Sequence, residues 1–139
     1  MNFIAQATAT STAAPAAFFA KWADMATWPE WNNDTEWVKL DGPFVQGATG
    51  TLKPKGGPKV GFVVEKLTDT EFIDVSKLIG ARLVFAHTVS VEDKTTVSVQ
   101  VSIDGPLRWF WTKIMGADLA KSAQPDLNAL VAAAEAVRA

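Results

Sequence analysis

The chain has 139 residues, 48% of them hydrophobic and 20% charged, with only 9 Gly and 7 Pro, a makeup that excludes a disordered or fibrous chain and fits one compact domain over residues 1–139. Its formal net charge of -2, from 13 basic and 15 acidic residues, supplies no counterion-release drive toward a phosphate backbone, so no nucleic-acid partner is expected. The absence of cysteine excludes disulfides, thiol nucleophiles and thiolate-held metals.

The first residues, Met1 to Gln6, lack the basic and sustained apolar regions of a secretory signal. Phe3 to Thr12 alternates Phe3, Ala5, Ala7 and Ala9 with Gln6, Thr8 and Thr10, which predicts a half-buried strand. Pro15 then opens a short amphipathic helix over Ala16 to Asp24, with Phe18, Phe19 and Trp22 on one face. Trp28 to Asp34 cannot extend that helix, because Pro29 disfavours helical backbone before it and Asn32 and Asn33 favour a turn. A second brief helical turn is expected there.

From Glu36 the pattern turns to strands: Glu36 to Leu40, Ala48 to Lys53, Val60 to Leu67 and Glu71 to Ser76, separated by turns such as Asp41-Gly42-Pro43 and Ile79-Gly80. The stretch Gly42 to Thr51 contains glycines but runs from strand to strand, so it is no phosphate loop. Lys53 to Lys59 reads as a solvated basic hairpin tip. Leu83 to Val91 and Thr96 to Ile103 alternate most clearly of all. Leu107 to Val137 reads as a helix, with Leu107, Phe110, Ile114, Leu119, Leu127, Leu130, Ala134 and Val137 as its apolar stripe, and Pro125 is expected to bend or split it. No apolar run approaches the about 20 residues that span a bilayer, so the protein is not expected to be an integral membrane protein, and a cytoplasmic location is the expectation.

This order gives an α+β protein: a curved antiparallel sheet of about seven strands wrapped around a long C-terminal helix, with two short helices after strand one. The residues also carry a resemblance. Ala14-Pro15-Ala16-Ala17-Phe18-Phe19 leading to Trp22 and Asp24, Trp28-Pro29-Glu30-Trp31, Phe44 and Gly47, Ala81 to His87, and Ile103-Asp104-Gly105-Pro106-Leu107 resemble the START-related SRPBCC superfamily, nearest its polyketide cyclase/dehydrase-like branch. The resemblance spans nearly the whole chain. It implies a helix-grip fold with an elongated apolar cavity between sheet and terminal helix, and binding of a lipid, polyketide, sterol or other hydrophobic molecule. It does not choose between carrier and enzyme, because one fold hosts both.

Strand parity nominates cavity positions: Val60, Phe62 and Val64; Phe72; Leu83, Phe85, His87 and Val89; Val97, Val99 and Val101; and Phe110 and Ile114 from the helix. Phe72 competes with Ile73 and Val75 for the inward side of its strand. Trp31 is the tryptophan singled out for cavity contact. His87 is the only imidazole, and the chain has no tyrosine. His87 reads either as a hydrogen-bond partner or acid/base for a bound carbonyl or hydroxyl compound, or as a core histidine satisfied by a neighbour. Arg82 has the opposite parity and is expected to face solvent, with Asp74 and Glu36 within reach as partners. No carboxylate pair is spaced for acid/base work, no metal site is supported by one histidine, and no cofactor is implied.

The first expectation is therefore binding of a hydrophobic small molecule in an internal cavity. A cyclase, aromatase or dehydratase using the same cavity, with His87 as acid/base, is one alternative. An interaction module using Trp109 or Trp111 is another, and either a monomer or a weak homodimer is compatible with the sequence.

Overall fold

A computed structural model describes residues 2–32 and 34–136. Met1, Asn33 and Val137, which entered the readings of the N-terminus, the turn and the helix, lie outside the described residues. Strands β1 (Asn2–Ser11), β2 (Thr35–Leu40), β3 (Thr49–Pro54), β4 (Val60–Leu67), β5 (Glu71–Leu78), β6 (Ala81–Val91) and β7 (Thr95–Asp104) form one antiparallel sheet. Its order is β1-β7-β6-β5-β4-β3-β2. Helices α1 (Pro15–Ala23) and α2 (Trp28–Trp31), joined by a 3-10 turn over Met25–Thr27, connect β1 to β2 at opposite edges, and α3 (Arg108–Ala136) follows the sheet.

The inner face is set by register. Leu83, Phe85, His87 and Val89 of β6 stand opposite Ile103, Val101, Val99 and Val97 of β7, and β7 in turn places Val99 and Val97 beside Ala7 and Ala9 of β1. Cross-strand partners share a face, so these side chains make one apolar surface. On β5, Phe72 stands opposite His87 and Asp74 opposite Phe85, so Phe72 points inward. Ile73 and Val75 take the other side.

Helix α3 packs chiefly on β1, with lighter contact to β7 and β6. Small side chains explain the choice: Ala5 and Ala7 on the strand and Ala134 on the helix are all buried, and alanines permit close approach. Both ends of α3 are tied down. Near its start, Leu107 N–H donates to the Gly80 carbonyl at 2.8 Å and Trp111 Nε1 donates to the Ile79 carbonyl at 2.8 Å. Near its end, Ser11 Oγ donates to Glu135 Oε2 at 2.7 Å.

One expectation is narrowed and another corrected. The helix is not split at Pro125; it runs as one span of 29 residues with the proline inside. Packing along β1, including the Gln124 Nε2 bond to the Thr8 carbonyl at 3.1 Å, holds the turn where proline removes a donor. The inward stripe is Met115, Leu119, Ala123, Leu127, Leu130 and Ala134, so Phe110 and Ile114, a fraction of a turn away, are exposed at 42% and 57%.

Candidate functional site

Because α3 hugs the β1 side of the sheet, the far side of the grip stays open. A cavity of about 530 Å³ lies between α3, α2 and the inner face of β3 to β7. Its walls are mainly apolar: Leu83, Phe85, Val99 and Val101 from the sheet, Met115, Leu119, Leu127 and Leu130 from α3, and Trp22, Trp28 and Trp31 from the short helices. Asn32, Asp34, Lys55, Asp118, Lys121 and Asp126 supply its polar margin, where Asp34, Lys55, Asp118 and Lys121 are exposed to solvent.

Of the predicted positions, Trp31, Val60, Leu83, Phe85, His87, Val99 and Val101 line this cavity. Phe62, Val64, Phe72, Val89 and Val97 are buried on the same inner face but are packed among other core side chains, because the sheet closes around them where α1 and α3 fill the grip. Phe110 and Ile114 are on the outer side of α3. Sequence reasoning missed Trp22, Trp28, the α3 residues and, above all, Asp74 and Ser76, which are buried and line the cavity. The signal for Asp74 was its spacing of two from Phe72; once Phe72 is inward, Asp74 must be as well.

Asp74 is therefore no partner of Arg82. Arg82 pairs with Glu65, and Glu36 pairs with Lys53 at 2.8 Å, both on outer or edge positions. Asp74 instead lies with its Oδ1 at 3.7 Å from His87 Nδ1. Burial pushes its pKa up to about 7, opposed by a backbone hydrogen bond that favours the charged form. His87 is pulled the other way: burial lowers it to about 4, opposed by the bond to the Phe72 carbonyl. At neutral pH the imidazole is uncharged.

That bond also assigns the tautomer. His87 Nδ1 is 2.9 Å from the Phe72 carbonyl oxygen, which can only accept, so Nδ1 carries the proton and Nε2 is left as an acceptor. The ring is held on two sides, stacked on Phe72 with centroids 4.9 Å apart and tilted against Trp22 at 5.1 Å. At the margin, burial first, and then the hydrogen bond and repulsion from Asp34, push Asp126 up to about 7.

Two buried side-chain atoms make no hydrogen bond among the described residues, Trp31 Nε1 and Asp74 Oδ1. Trp28 Nε1, by contrast, donates to the Lys21 carbonyl at 3.0 Å. No group of His, Cys, Asp and Glu among the described residues is arranged to hold a metal ion, and no helix among them is long and apolar enough to cross a membrane.

No protein-family model matches the chain, and no curated protein matches it. Solved structures do. A hypothetical protein from Helicobacter pylori superposes with a TM-score of 0.72 at 17% identity, covering 94% of this chain and 86% of that one. The di-domain ARO/CYC StfQ from the steffimycin biosynthetic pathway gives 0.76 at 9% identity, over 99% of this chain and 52% of that chain, so the present chain spans about half its length. A START superfamily protein from Mycobacterium smegmatis gives 0.68 at 11% identity, covering 97% and 99%. The chain thus has the START-like helix-grip fold that its sequence resembles.

Proposed function

We propose that residues 1–139 act as one unit that binds a hydrophobic small molecule in the cavity between the sheet and α3. The observation that carries this reading is the cavity itself, about 530 Å³ with mainly apolar walls. Removing apolar ligand surface from water there is favourable by about 25 cal/mol per Å², before the costs of ordering, so micromolar affinity requires no special chemistry. Solved proteins of the same fold include the di-domain ARO/CYC StfQ of the steffimycin biosynthetic pathway, and a small molecule in the cavity of the present chain fits that company.

The test uses the neutral dye N-phenyl-1-naphthylamine. Saturable binding of one dye per chain, lost in Ala123→Phe, supports the reading, since Ala123 lines the cavity. No saturable binding, or binding that Ala123→Phe leaves intact, overturns it.

One observation favours a second reading, catalysis in the same cavity. Asp74 and His87 lie 3.7 Å apart, with Asp74 titrating at about 7, where a carboxyl group both gives and takes protons. A polyketide-type cyclisation or dehydration would use Asp74 as the acid and His87 Nε2 as the acceptor. Turnover of a poly-β-ketone thioester by wild type, lost in His87→Ala, would support it; equal rates would remove His87 from the reaction.

A further inference from the structure

We propose that the cavity selects a neutral aromatic molecule bearing a hydroxyl group, with Asp74 Oδ1 taking a hydrogen bond from the ligand and Trp31 Nε1 giving one to it. The inference rests on the reading that the ligand occupies this cavity, and it deepens that reading to a ligand class.

Buried polar atoms are almost always paired, because leaving one without a partner costs its full desolvation. Here a donor, Trp31 Nε1, and an acceptor, Asp74 Oδ1, are both buried without a protein partner, and both residues line the same cavity. The chain satisfies other indole N–H groups: Trp28 Nε1 reaches the Lys21 carbonyl and Trp111 Nε1 the Ile79 carbonyl. Asp74 is only 6% exposed, and its neighbour His87 spends its N–H on the Phe72 carbonyl, so that imidazole gives Asp74 no donor.

The pair of unmet groups constrains the ligand. A hydroxyl donates and accepts, so it serves Asp74 and Trp31, alone or with a carbonyl on the same ring system. A bare hydrocarbon serves neither. An ammonium group donates to Asp74 but has nothing for the indole N–H. A carboxylate accepts from Trp31 but sets a second negative charge beside Asp74, in a cavity whose margin already carries Asp34, Asp118 and Asp126 against Lys55 and Lys121. Trp22, Trp28, Trp31 and Phe85 present ring surfaces along the walls, which suits a flat aromatic skeleton.

Four probes with one ring system separate these cases: naphthalene, 2-naphthol, 2-naphthoate and 2-naphthylmethylammonium, titrated calorimetrically at pH 8, above the value of about 7 at which Asp74 and Asp126 titrate. We expect 2-naphthol to bind about tenfold tighter than naphthalene, and 2-naphthoate weaker than naphthalene. In Asp74→Leu and in Trp31→Phe the 2-naphthol to naphthalene ratio falls toward one, and thermal unfolding verifies that each variant is folded; either variant alone carries the test. Equal affinity for 2-naphthol and naphthalene in wild type overturns the inference and leaves cavity binding standing. So does tightest binding of the carboxylate or of the ammonium probe, or a ratio unchanged in both variants. If no probe binds, naphthalene included, the cavity-binding reading falls and this inference with it.

Discussion

Phe72 and His87 face each other across β5 and β6, their rings 13° from parallel with centroids 4.9 Å apart, while the Phe72 carbonyl accepts a hydrogen bond from His87 Nδ1 at 2.9 Å. One residue thus both covers the imidazole and assigns its tautomer. The folded protein holds His87 neutral down to about pH 4, whereas the unfolded chain protonates it near 6.5, so the unfolded state binds more protons between these values. The contribution of His87 to stability is therefore present above about pH 6.5 and is lost as pH falls toward 4. In urea unfolding, His87→Leu is expected to cost about 1–2 kcal/mol at pH 7.5, and that cost should shrink by about 1.4 kcal/mol per pH unit from 6.5 downward. A cost independent of pH would contradict the buried neutral histidine.

Asp74 has the opposite sign. Its folded pKa of about 7 lies above the unfolded value, so the native state binds the extra proton, and the group penalises folding increasingly as pH rises from about 4 to 7. Replacing it by leucine removes both that penalty and the unpaired Oδ1. Asp74→Leu should be more stable than wild type, with an advantage that grows across that window by up to about 4 kcal/mol and is flat above pH 7. Stability gained at the expense of ligand affinity would mark Asp74 as a binding group. A variant less stable at pH 8 than wild type would show that Asp74 is structurally satisfied.

The fold was legible wherever one face of an element is wet. β6 and β7 show their parity where Arg82, Thr88 and Gln100 are exposed beside the buried Leu83, Val89, Val99 and Val101, and the turns are marked by Gly and Pro. β5 hid its parity because it is buried on both sides: Phe72 and Asp74 inward, Val75 at 1% exposure outward. With no period to read, Asp74 looked like a surface carboxylate. The inward face of α3 was obscured in another way. Large apolar side chains cluster at its exposed start, in Trp109, Phe110 and Ile114, while its packed face is largely small, in Gly116, Ala123 and Ala134. Hydrophobicity alone therefore misplaced Phe110 and Ile114, while Leu119, Leu127, Leu130 and Ala134 of the same predicted stripe do face the core.

Small residues on that face also predict where the molecule has room. Ala123 lines the cavity, whereas Ala134 is fully buried in packed surroundings. Ala123→Phe should be tolerated within about 1 kcal/mol, because the ring enters existing space, and should reduce dye affinity at least about tenfold. Ala134→Leu should cost about 1–3 kcal/mol through overpacking. Thermal unfolding of the two variants checks the contrast; equal costs would indicate that no usable space lies beside Ala123.

The placement of α3 depends on Gly105. Its φ is +115°, and a Cβ there would lie 2.6 Å from the Gly80 carbonyl oxygen, the same oxygen that accepts from Leu107 N–H. Gly105→Ala is expected to destabilise the protein by more than about 1 kcal/mol, by strain and by loosening the start of the helix. A melting temperature equal to that of wild type would show that the β7–α3 turn is less constrained than its geometry indicates.

The most direct measurement of where the ligand sits is an NMR map of intermolecular contacts with bound 2-naphthol. Nuclear Overhauser effects from its ring protons to the methyl groups of Leu83, Val99 and Leu127, all on the cavity wall, are the expected result. Contacts confined to the exposed methyls of Ile79 and Ile114, with none to those three, would place binding on the outer surface and contradict the internal site.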